Sequence, residues 1–360
     1  MNPKNASGLE ATLVQPNVIF LPQLDFLRSI AVLLVVIDHT AIALGHLMVG
    51  KFSFGLLGVI GVWMFFVHTS LVLMWSLERK PYTLDFYIRR IFRIFPLAIF
   101  GTLVVLLTHA PVTGYFWYSS GTWANVVGNF LLIYNLFPAA HDFRALLHVE
   151  WTLPWELEMY LLLPMLFAFV RRELSLWTML LIWLLCVQLG YISGVSKLSF
   201  MGSVPHFLAG VIAFIGFKTL SAKFPAWTFV PFLAAFIIGA SFLLNHLDGP
   251  GPWIFSLMLG LGLPLFHSFK QSYFTEACKV VARYSYGIYL AHPFAILFGI
   301  KFCHSYPLAV QLLVEAVTIP VLAVSSYHLL EKPMIDRGSR LAAKVEVYSL
   351  ARRKTPLPTL

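Results

Sequence analysis

The chain has 360 residues, of which 59% are hydrophobic and only 11% are charged, with a formal net charge of +9. Soluble domains carry about 25% charged residues, so this composition excludes an ordinary soluble protein and indicates an integral membrane protein. The hydrophobic residues form runs of roughly 17 to 24, the length of a membrane-spanning helix, whereas spanning strands would alternate over about ten residues.

Eleven hydrophobic runs follow one another along the chain. They lie at about residues 24–46, 54–76, 91–109, 122–138, 152–170, 174–192, 203–217, 226–245, 252–269, 284–300 and 308–330. The fourth is short and the most polar, because Asn125, Asn129 and Asn135 lie within it. We therefore predict that the fourth run is re-entrant and does not cross the membrane.

The basic residues predict how the spans are oriented, because Lys and Arg in short loops stay on the cytoplasmic side. With the fourth run re-entrant, most of them fall on one side, whereas a crossing fourth run would place Arg171, Arg172 and the basic C-terminal segment outside. The sequence thus predicts an all-α polytopic protein of the inner (plasma) membrane, with ten spans and both termini cytoplasmic. Its predicted parts are a cytoplasmic N-terminal segment (1–23), a transmembrane domain (24–333) and a basic cytoplasmic tail (334–360), which lies along the membrane or is disordered.

The first span contains the stretch "DFLRSIAVLLVVIDHT" (25–40), whose ionisable residues are costly at membrane depth and indicate a functional site. Arg28 and His39 are eleven residues apart, so in a helix they share one face and His39 lies about 16 Å deeper. Asp38 points about 100° away and has no predicted role. A single histidine in a helix bundle is often a hydrogen-bonded packing residue, and this motif alone leaves that alternative open for His39.

A second motif, "FYIRRIFRIFP" (86–96), places Arg89, Arg90 and Arg93 where the third span begins. One or two arginines here would only anchor the helix at the membrane surface. Three within five residues predict a phosphate-binding site, because the guanidinium fork matches phosphate oxygens and keeps its proton. A cytosolic, phosphorylated donor is implied.

A third motif, "EWTLPWELEMYLLLP" (150–164), opens the fifth run. Its tryptophans are routine at a membrane interface, but a carboxylate about a turn and a half further in is not. Glu156 is therefore predicted to accept a hydrogen bond from a sugar hydroxyl or to orient a catalytic imidazole. Trp151 and Tyr160 are predicted to support the acceptor.

The fourth motif, "RYSYGIYLAHPF" (283–294), places His292 about 13 Å from its first residue, at a depth similar to that of His39. Two helices thus bring an imidazole to the middle of the membrane, with Ser285, Tyr286 and Tyr289 below the second. The other histidines show no ligand spacing, so we expect no metal site.

These four motifs, in this order, resemble those of the membrane-bound acyltransferase 3 family, and the resemblance covers about residues 25–333. The matching positions are Arg28 and His39 in the first motif; Arg89, Arg90, Arg93 and Pro96 in the second; Trp151, Leu153, Glu156 and Tyr160 in the third; and Ser285, Tyr286, Tyr289, Leu290 and His292 in the fourth. The closing "LLEKP" (329–333) is similar as well. Thr152 replaces the usual Ser, and Leu157 replaces a second acidic residue.

The resemblance implies an enzyme that transfers an acyl group, generally acetyl, from cytosolic acyl-CoA to a hydroxyl of a carbohydrate acceptor, such as an envelope polysaccharide or a lipid-linked glycan. The residues predicted to hold the phosphates of acyl-CoA are Arg28, Arg89, Arg90 and Arg93. His39 is the predicted general base, and Glu156 is predicted to orient His39 or the acceptor. The predicted acceptor-binding or supporting residues are Trp151, Tyr160, Ser285, Tyr286, Tyr289 and His292. Ser285 and the tyrosines are predicted to be hydrogen-bond partners, with the alternative that one of them carries the acyl group. No cofactor is expected to be bound permanently.

The alternative function is that of a transporter or flippase for a glycan or lipid-linked substrate, because buried Arg, Glu and His also mark translocation pathways. Transporters usually show inverted repeats, and the sequence shows no such duplication. The net positive charge follows from topology and anionic lipid. The expected partners are therefore acyl-CoA, the acceptor and the bilayer, and not nucleic acid. The motifs leave open the acyl chain, the acceptor sugar, and whether an acyl-enzyme forms.

Overall fold

The computed structural model describes residues 21–45, 48–50, 52–109, 123–136, 145–172, 175–194, 199–243 and 249–354. Its α-helices are α1 (Pro22–Ala43), α2 (Leu57–Arg79), α3 (Thr83–Thr108), α4 (Trp123–Phe130), α5 (Leu153–Arg171), α6 (Leu176–Ile192), α7 (Phe200–Thr219), α8 (Phe229–Leu243), α9 (Gly251–Gly262), α10 (Tyr273–Ile296), α11 (Leu308–Ser326) and α12 (Lys332–Lys354). Two short antiparallel strands, β1 (Met48–Val49) and β2 (Phe52–Ser53), follow α1.

Short turns of other helix types join these elements. The 3₁₀ turns are Phe54–Leu56, Tyr134–Leu136, His148–Thr152, Ala226–Thr228 and Leu263–Leu265. Two π-helical turns, Leu297–Phe302 and Tyr327–Glu331, extend α10 and connect α11 to α12. Such π-turns are found disproportionately at functional sites.

Six helical segments of the described chain are long and apolar enough to cross a membrane. They are Pro22–Ala43, Phe54–Arg79, Thr83–Thr108, His148–Arg171, Phe200–Thr219 and Leu308–Tyr348. Three shorter apolar helices, Leu176–Ile192, Ala226–Phe242 and Gly251–Leu265, add to them. The protein is therefore a helical membrane protein, as its composition predicts, while the count of ten spans and the cytoplasmic location of both termini stay predictions.

The fourth hydrophobic run forms no membrane-spanning helix in its described part, 123–136. Helix α4 has eight residues, so it is about 12 Å long, against a hydrocarbon core of about 30 Å. It ends at Phe130, and Leu132, two residues later, has a left-handed φ of 54°. Asn129 donates to the backbone oxygen of Asn125 (2.9 Å) and accepts from the backbone N–H of Leu146 (2.8 Å). These asparagines thus satisfy the backbone of an irregular buried segment.

The C-terminal tail is helical as far as Lys354, which contradicts the disordered alternative over residues 334–354, while a tail that lies along the membrane surface stays a prediction. Helix α12 begins at Lys332, and no break separates the predicted domain from its tail. It packs along α3, where a Cβ on Gly338 would lie 2.5 Å from that of Phe92. This contact brings the tail beside the arginine-rich start of α3.

Helices α2 and α7 form the centre of the bundle and meet through a glycine. A Cβ on Gly210 of α7 would lie 2.2 Å from the backbone oxygen of Val67 in α2, so only glycine allows this approach. On the other side of α7, a Cβ on Gly260 of α9 would lie 2.3 Å from the backbone oxygen of Ala209. The face of α2 opposite this packing is free to meet α1, α5 and the site described below.

We expect Gly210→Ala to destabilise the protein by about 1 to 3 kcal/mol, because the added methyl group forces α2 and α7 apart. A matched control is Gly239→Ala in α8, where the added Cβ meets no heavy atom within 4 Å. That change is expected to be neutral or to stabilise by up to about 1 kcal/mol through helix propensity. Thermal unfolding of both variants in detergent measures the difference, and equal unfolding temperatures would contradict the prediction.

Candidate functional site

A polar cavity of about 90 Å³ lies between α1, α2, α3, α5 and α10. It collects residues from all four sequence motifs, which are far apart in the chain. The predicted site residues that line it are Arg28, Arg90, Arg93, Glu156, Tyr160, Ser285, Tyr286 and Tyr289. His68 of α2 and Thr152 also line it. We call it the inner cavity.

Arg28 is fixed by the fourth motif across the bundle. Its Nε donates to Oγ of Ser285 at 2.6 Å, and that hydroxyl in turn donates to the backbone oxygen of Ala282 at 2.8 Å. The Ser285 proton is therefore committed to the backbone. Ser285 serves here as a hydrogen-bond partner that orients the Arg28 guanidinium.

Glu156 lies among the cationic residues of the inner cavity. Tyr160, one turn further along α5, donates its hydroxyl to Oε2 of Glu156 at 2.8 Å. The guanidinium groups of Arg28 and Arg90 are close enough to interact electrostatically with this carboxylate. Among the described contacts none joins Glu156 to His39, so the structure gives no support to the prediction that Glu156 orients the imidazole.

Two tyrosines of α10 attach this helix to its neighbours. Tyr286 donates its hydroxyl to the backbone oxygen of Ile94 at 2.8 Å. The hydroxyl of Tyr289 donates to the backbone oxygen of Val149 at 2.5 Å and lies 3.1 Å from Oγ1 of Thr152. Both phenol protons have backbone acceptors, so these tyrosines are structural partners of the cavity wall.

A second, wider cavity of about 450 Å³ adjoins the inner one and shares Arg28, His68 and Arg93 with it. Its cationic residues are Arg28, Arg79, Arg93, Lys279 and Arg283, and Asp25 is its single acidic residue. We call it the basic vestibule. It lies where α1 and α3 begin and α2 ends, so this end of the bundle attracts anions.

His39 lies beyond the inner cavity, next to His292. The two rings meet edge to face with centroids 4.9 Å apart, and the His292 ring is 6.0 Å from that of Tyr289, which lines the cavity. The side chain of His39 keeps 25% of its surface exposed. His148 is near enough to interact with it electrostatically.

The backbone decides which ring nitrogen of His39 is available. Its Nδ1 lies 2.9 Å from the carbonyl oxygen of Val35, one turn earlier in α1. A carbonyl can only accept, so Nδ1 carries the proton and Nε2 keeps its lone pair. In this tautomer His39 is ready to take a proton at Nε2.

The remaining predicted residues lie apart from the cavity. Trp151 packs edge to face on Trp155, with centroids 4.9 Å apart.

Within the described part of the chain, no group of three or more His, Cys, Asp or Glu is arranged to hold a metal ion.

A family model described as an acyltransferase domain matches residues 21–327 of the chain. The chain belongs to the acyltransferase 3 family. It is also similar to the acyltransferase MdmB of Streptomyces mycarofaciens, with 28% identity over 166 residues. That alignment covers 44% of this chain and 42% of the relative, so the chain spans less than half of the relative's length. No solved structure matches the chain.

The three arginines of the second motif separate in the structure. Arg90 and Arg93 line the inner cavity, but Arg89 does not. Its Nε and Nη2 donate to the Asp85 carboxylate at 2.8 and 3.1 Å, and its Nη1 donates to Oγ of Ser339 at 3.0 Å. The structure therefore places Arg89 in the contact between α3 and α12.

We expect Arg89→Ala to destabilise the protein by about 1 to 3 kcal/mol, because it leaves the buried Asp85 carboxylate unpaired. The affinity for an anionic donor is expected to change less than about twofold. Thermal unfolding and titration with CoA measure the two effects, with the surface change Arg172→Ala as control. A tenfold loss of CoA affinity at unchanged stability would contradict this prediction and would support Arg89 as a phosphate-binding residue.

The sequence did not predict several residues of the candidate site. Arg79, Lys279 and Arg283 were used only to predict the orientation of the spans. The four-residue spacing of Lys279 and Arg283 on α10 places both on one helix face and could have indicated a shared site. Glu331, in the π-helical turn before α12, is buried to 1% exposure, and its Oε2 lies 3.5 Å from Nη1 of Arg93. Arg93 also lies 5.9 Å from the centre of the Tyr286 ring.

Proposed function

We propose that this acyltransferase moves an acyl group, most simply acetyl, from acyl-CoA to a hydroxyl of a carbohydrate acceptor at the plasma membrane. One observation carries the proposal: a basic vestibule opens into a cavity lined by Arg28 and Arg90, and beyond that cavity lies an imidazole whose Nε2 is free of its proton. The first part suits a phosphorylated donor. The second suits the activation of a hydroxyl.

Charge and size support CoA as the carrier of the acyl group. The vestibule has five cationic residues against one carboxylate, and the phosphates of CoA supply the complementary charge. The inner cavity of about 90 Å³ is too small for a nucleotide. The nucleotide would therefore stay in the vestibule, and only the narrow thioester end would pass Arg28 toward His39.

The transfer then needs one base. Nε2 of His39 takes the proton of the acceptor hydroxyl, whose oxygen forms a bond with the thioester carbonyl carbon. The carbon–sulfur bond breaks, the sulfur leaves with its electron pair, and His39 returns the proton to the CoA thiolate. No acyl-enzyme is required, which agrees with the backbone hydrogen bonds that occupy Ser285, Tyr286 and Tyr289.

The position of His39 supports an acceptor that approaches from the side opposite the donor. His39 lies eleven residues beyond Arg28 in α1, about 16 Å further along the helix axis. If the basic vestibule faces the cytoplasm, as the positive-inside rule requires, the acceptor approaches from the outer side. A glycan of the cell envelope or a lipid-linked glycan meets this condition.

The decisive experiment measures free thiol in membranes that contain the protein and acetyl-CoA, before and after addition of surface glycan. Acceptor-dependent release of CoA thiol, with a matching mass increment on the glycan, is the expected result. Membranes with His39→Ala are the control. A glycan that crosses the membrane unmodified, with no thiol released, would overturn the proposal in favour of a transporter or flippase.

A further inference from the structure

Asp38 occupies a deeply buried position beside His39 that the proposed mechanism does not use. It is 5% exposed, although it lies in the membrane-spanning part of α1. Its Oδ1 has no hydrogen-bond partner in the described part of the chain. A buried carboxylate is costly unless charges or donors around it compensate, so its surroundings decide what it does.

The N-terminus of α2 supplies part of that compensation. The backbone of Gly58, the second residue of α2, lies close to the carboxylate of Asp38. A Cβ on Gly58 would lie 2.5 Å from Oδ2 of Asp38, so the absence of a side chain there lets the carboxylate reach the helix end. Backbone N–H groups and the helix dipole both favour a negative charge at this place.

The same oxygen that approaches Gly58 also faces the imidazole. Oδ2 of Asp38 lies 3.6 Å from Nδ1 of His39, which is too long for a hydrogen bond but close for two charges. The other groups around His39 are His292, His148 and, through the Thr40 hydroxyl, the Glu315 carboxyl. Asp38 is thus the carboxylate in closest described contact with the ring.

We propose that Asp38 is a positioning residue that stabilises the His39 imidazolium formed during acyl transfer. The inference rests on the proposed function. When Nε2 takes the proton of the acceptor hydroxyl, a positive charge appears on the ring, and the fixed negative charge of Asp38 at the end of α2 stabilises it. The Val35 carbonyl fixes the tautomer and the orientation of the ring, and Asp38 stabilises the positive charge on it.

Capping of α2 alone would not require a carboxylate. Asparagine caps a helix N-terminus about as well as aspartate, because its side-chain oxygen can also accept from a backbone N–H. Asn would, however, remove the charge that faces the imidazole. The pair Asp38→Asn and Asp38→Ala therefore separates the two roles: the first keeps a cap without charge, and the second loses both.

The experiment compares kcat, KM for acetyl-CoA and thermal unfolding of full-length protein in membranes or detergent. We expect Asp38→Asn to lower kcat by about 10- to 100-fold at unchanged KM and unfolding temperature, a smaller loss than that of the whole base. Its solvent deuterium isotope effect on kcat should increase, because proton transfer limits the rate. Asp38→Ala should add a loss of thermal stability.

The contrary result is a kcat for Asp38→Asn within twofold of that of the unchanged protein, with only Asp38→Ala impaired and unstable. Asp38 would then be a helix cap and nothing more. The control His39→Ala separates this failure from failure of the proposed function. If His39→Ala is inactive while Asp38→Asn is normal, the inference alone is wrong; if His39→Ala is fully active, the base assignment itself is wrong.

Discussion

Membranes that contain His39→Ala are expected to transfer acyl groups about 10²- to 10⁴-fold more slowly than membranes with the unchanged protein. The reason is the tautomer: Nδ1 of His39 is bound to the Val35 carbonyl at 2.9 Å, and Nε2 is left as the proton acceptor. A methyl group in place of the ring removes that acceptor. Transfer from labelled acetyl-CoA to surface glycan measures the loss.

The donor should still bind to His39→Ala, because the cationic residues of the basic vestibule lie elsewhere. CoA affinity is therefore expected to stay within about twofold of normal, which distinguishes a lost base from a misfolded protein. His267→Ala, which removes an exposed histidine outside both cavities, is the matched control and should keep full activity. Turnover by His39→Ala above a tenth of normal would contradict the assignment of the base.

The sequence predicts the helical membrane fold because hydrophobic length is a local property. Each of the eleven predicted runs except the fourth contains a long helix or an apolar helix of at least ten residues in the structure. The fourth run was predicted from its asparagines to be re-entrant, which is also local information, and its described part contains only a helix of eight residues. The helical state of the tail was missed, because α12 is polar and its helix depends on packing against α3, a contact between distant parts of the chain.

The second motif shows where local spacing stops being informative. Arg93 is three residues from Arg90 and four from Arg89, so a helical wheel places all three on neighbouring parts of one face. The structure separates them, because Asp85 and Ser339 bind Arg89 and turn it toward α12. Asp85 was visible one turn before Arg89, but Ser339 is 250 residues away.

The roles of the carboxylates were the hardest to predict, because a carboxylate takes its role from its partner. Glu156 was predicted to orient either His39 or the acceptor, and the structure places it with Tyr160 and two arginines. Asp38, to which the sequence assigned no role, is the carboxylate that reaches His39. The 100° turn between adjacent residues of a helix separates Asp38 from the face of His39, but a flexible side chain and the end of α2 bring them together again.

Substitutions of the two partners of the Arg93–Glu331 ion pair are expected to change the affinity for CoA in opposite directions. Glu331 is buried, and its Oε2 lies 3.5 Å from Nη1 of Arg93, so under the proposed function it would compete with a donor phosphate for this guanidinium. Arg93→Ala should weaken CoA binding by about 10- to 100-fold, because a charge-assisted hydrogen bond is lost. Glu331→Gln should strengthen it by about 2- to 10-fold, because an internal competitor for the guanidinium is removed.

A matched ion pair tests whether these effects belong to the basic vestibule. Lys80 and Glu346 form a similar contact between the end of α2 and α12, 3.6 Å apart, but neither lines the vestibule. Lys80→Ala and Glu346→Gln should both leave CoA affinity within about twofold. Isothermal titration of CoA at two salt concentrations measures all four variants, and the vestibule effects should shrink at the higher salt.

The sign of the Glu331→Gln effect decides between competition and support. If the carboxylate competes with a phosphate, its removal tightens binding, and the double variant with Arg93→Ala shows no gain because no guanidinium remains to be released. If the carboxylate instead holds Arg93 in the geometry that the phosphate requires, Glu331→Gln weakens binding as Arg93→Ala does. The second outcome would make Glu331 part of the donor site. It would show that the π-helical turn before α12 supports CoA binding and does not compete with it.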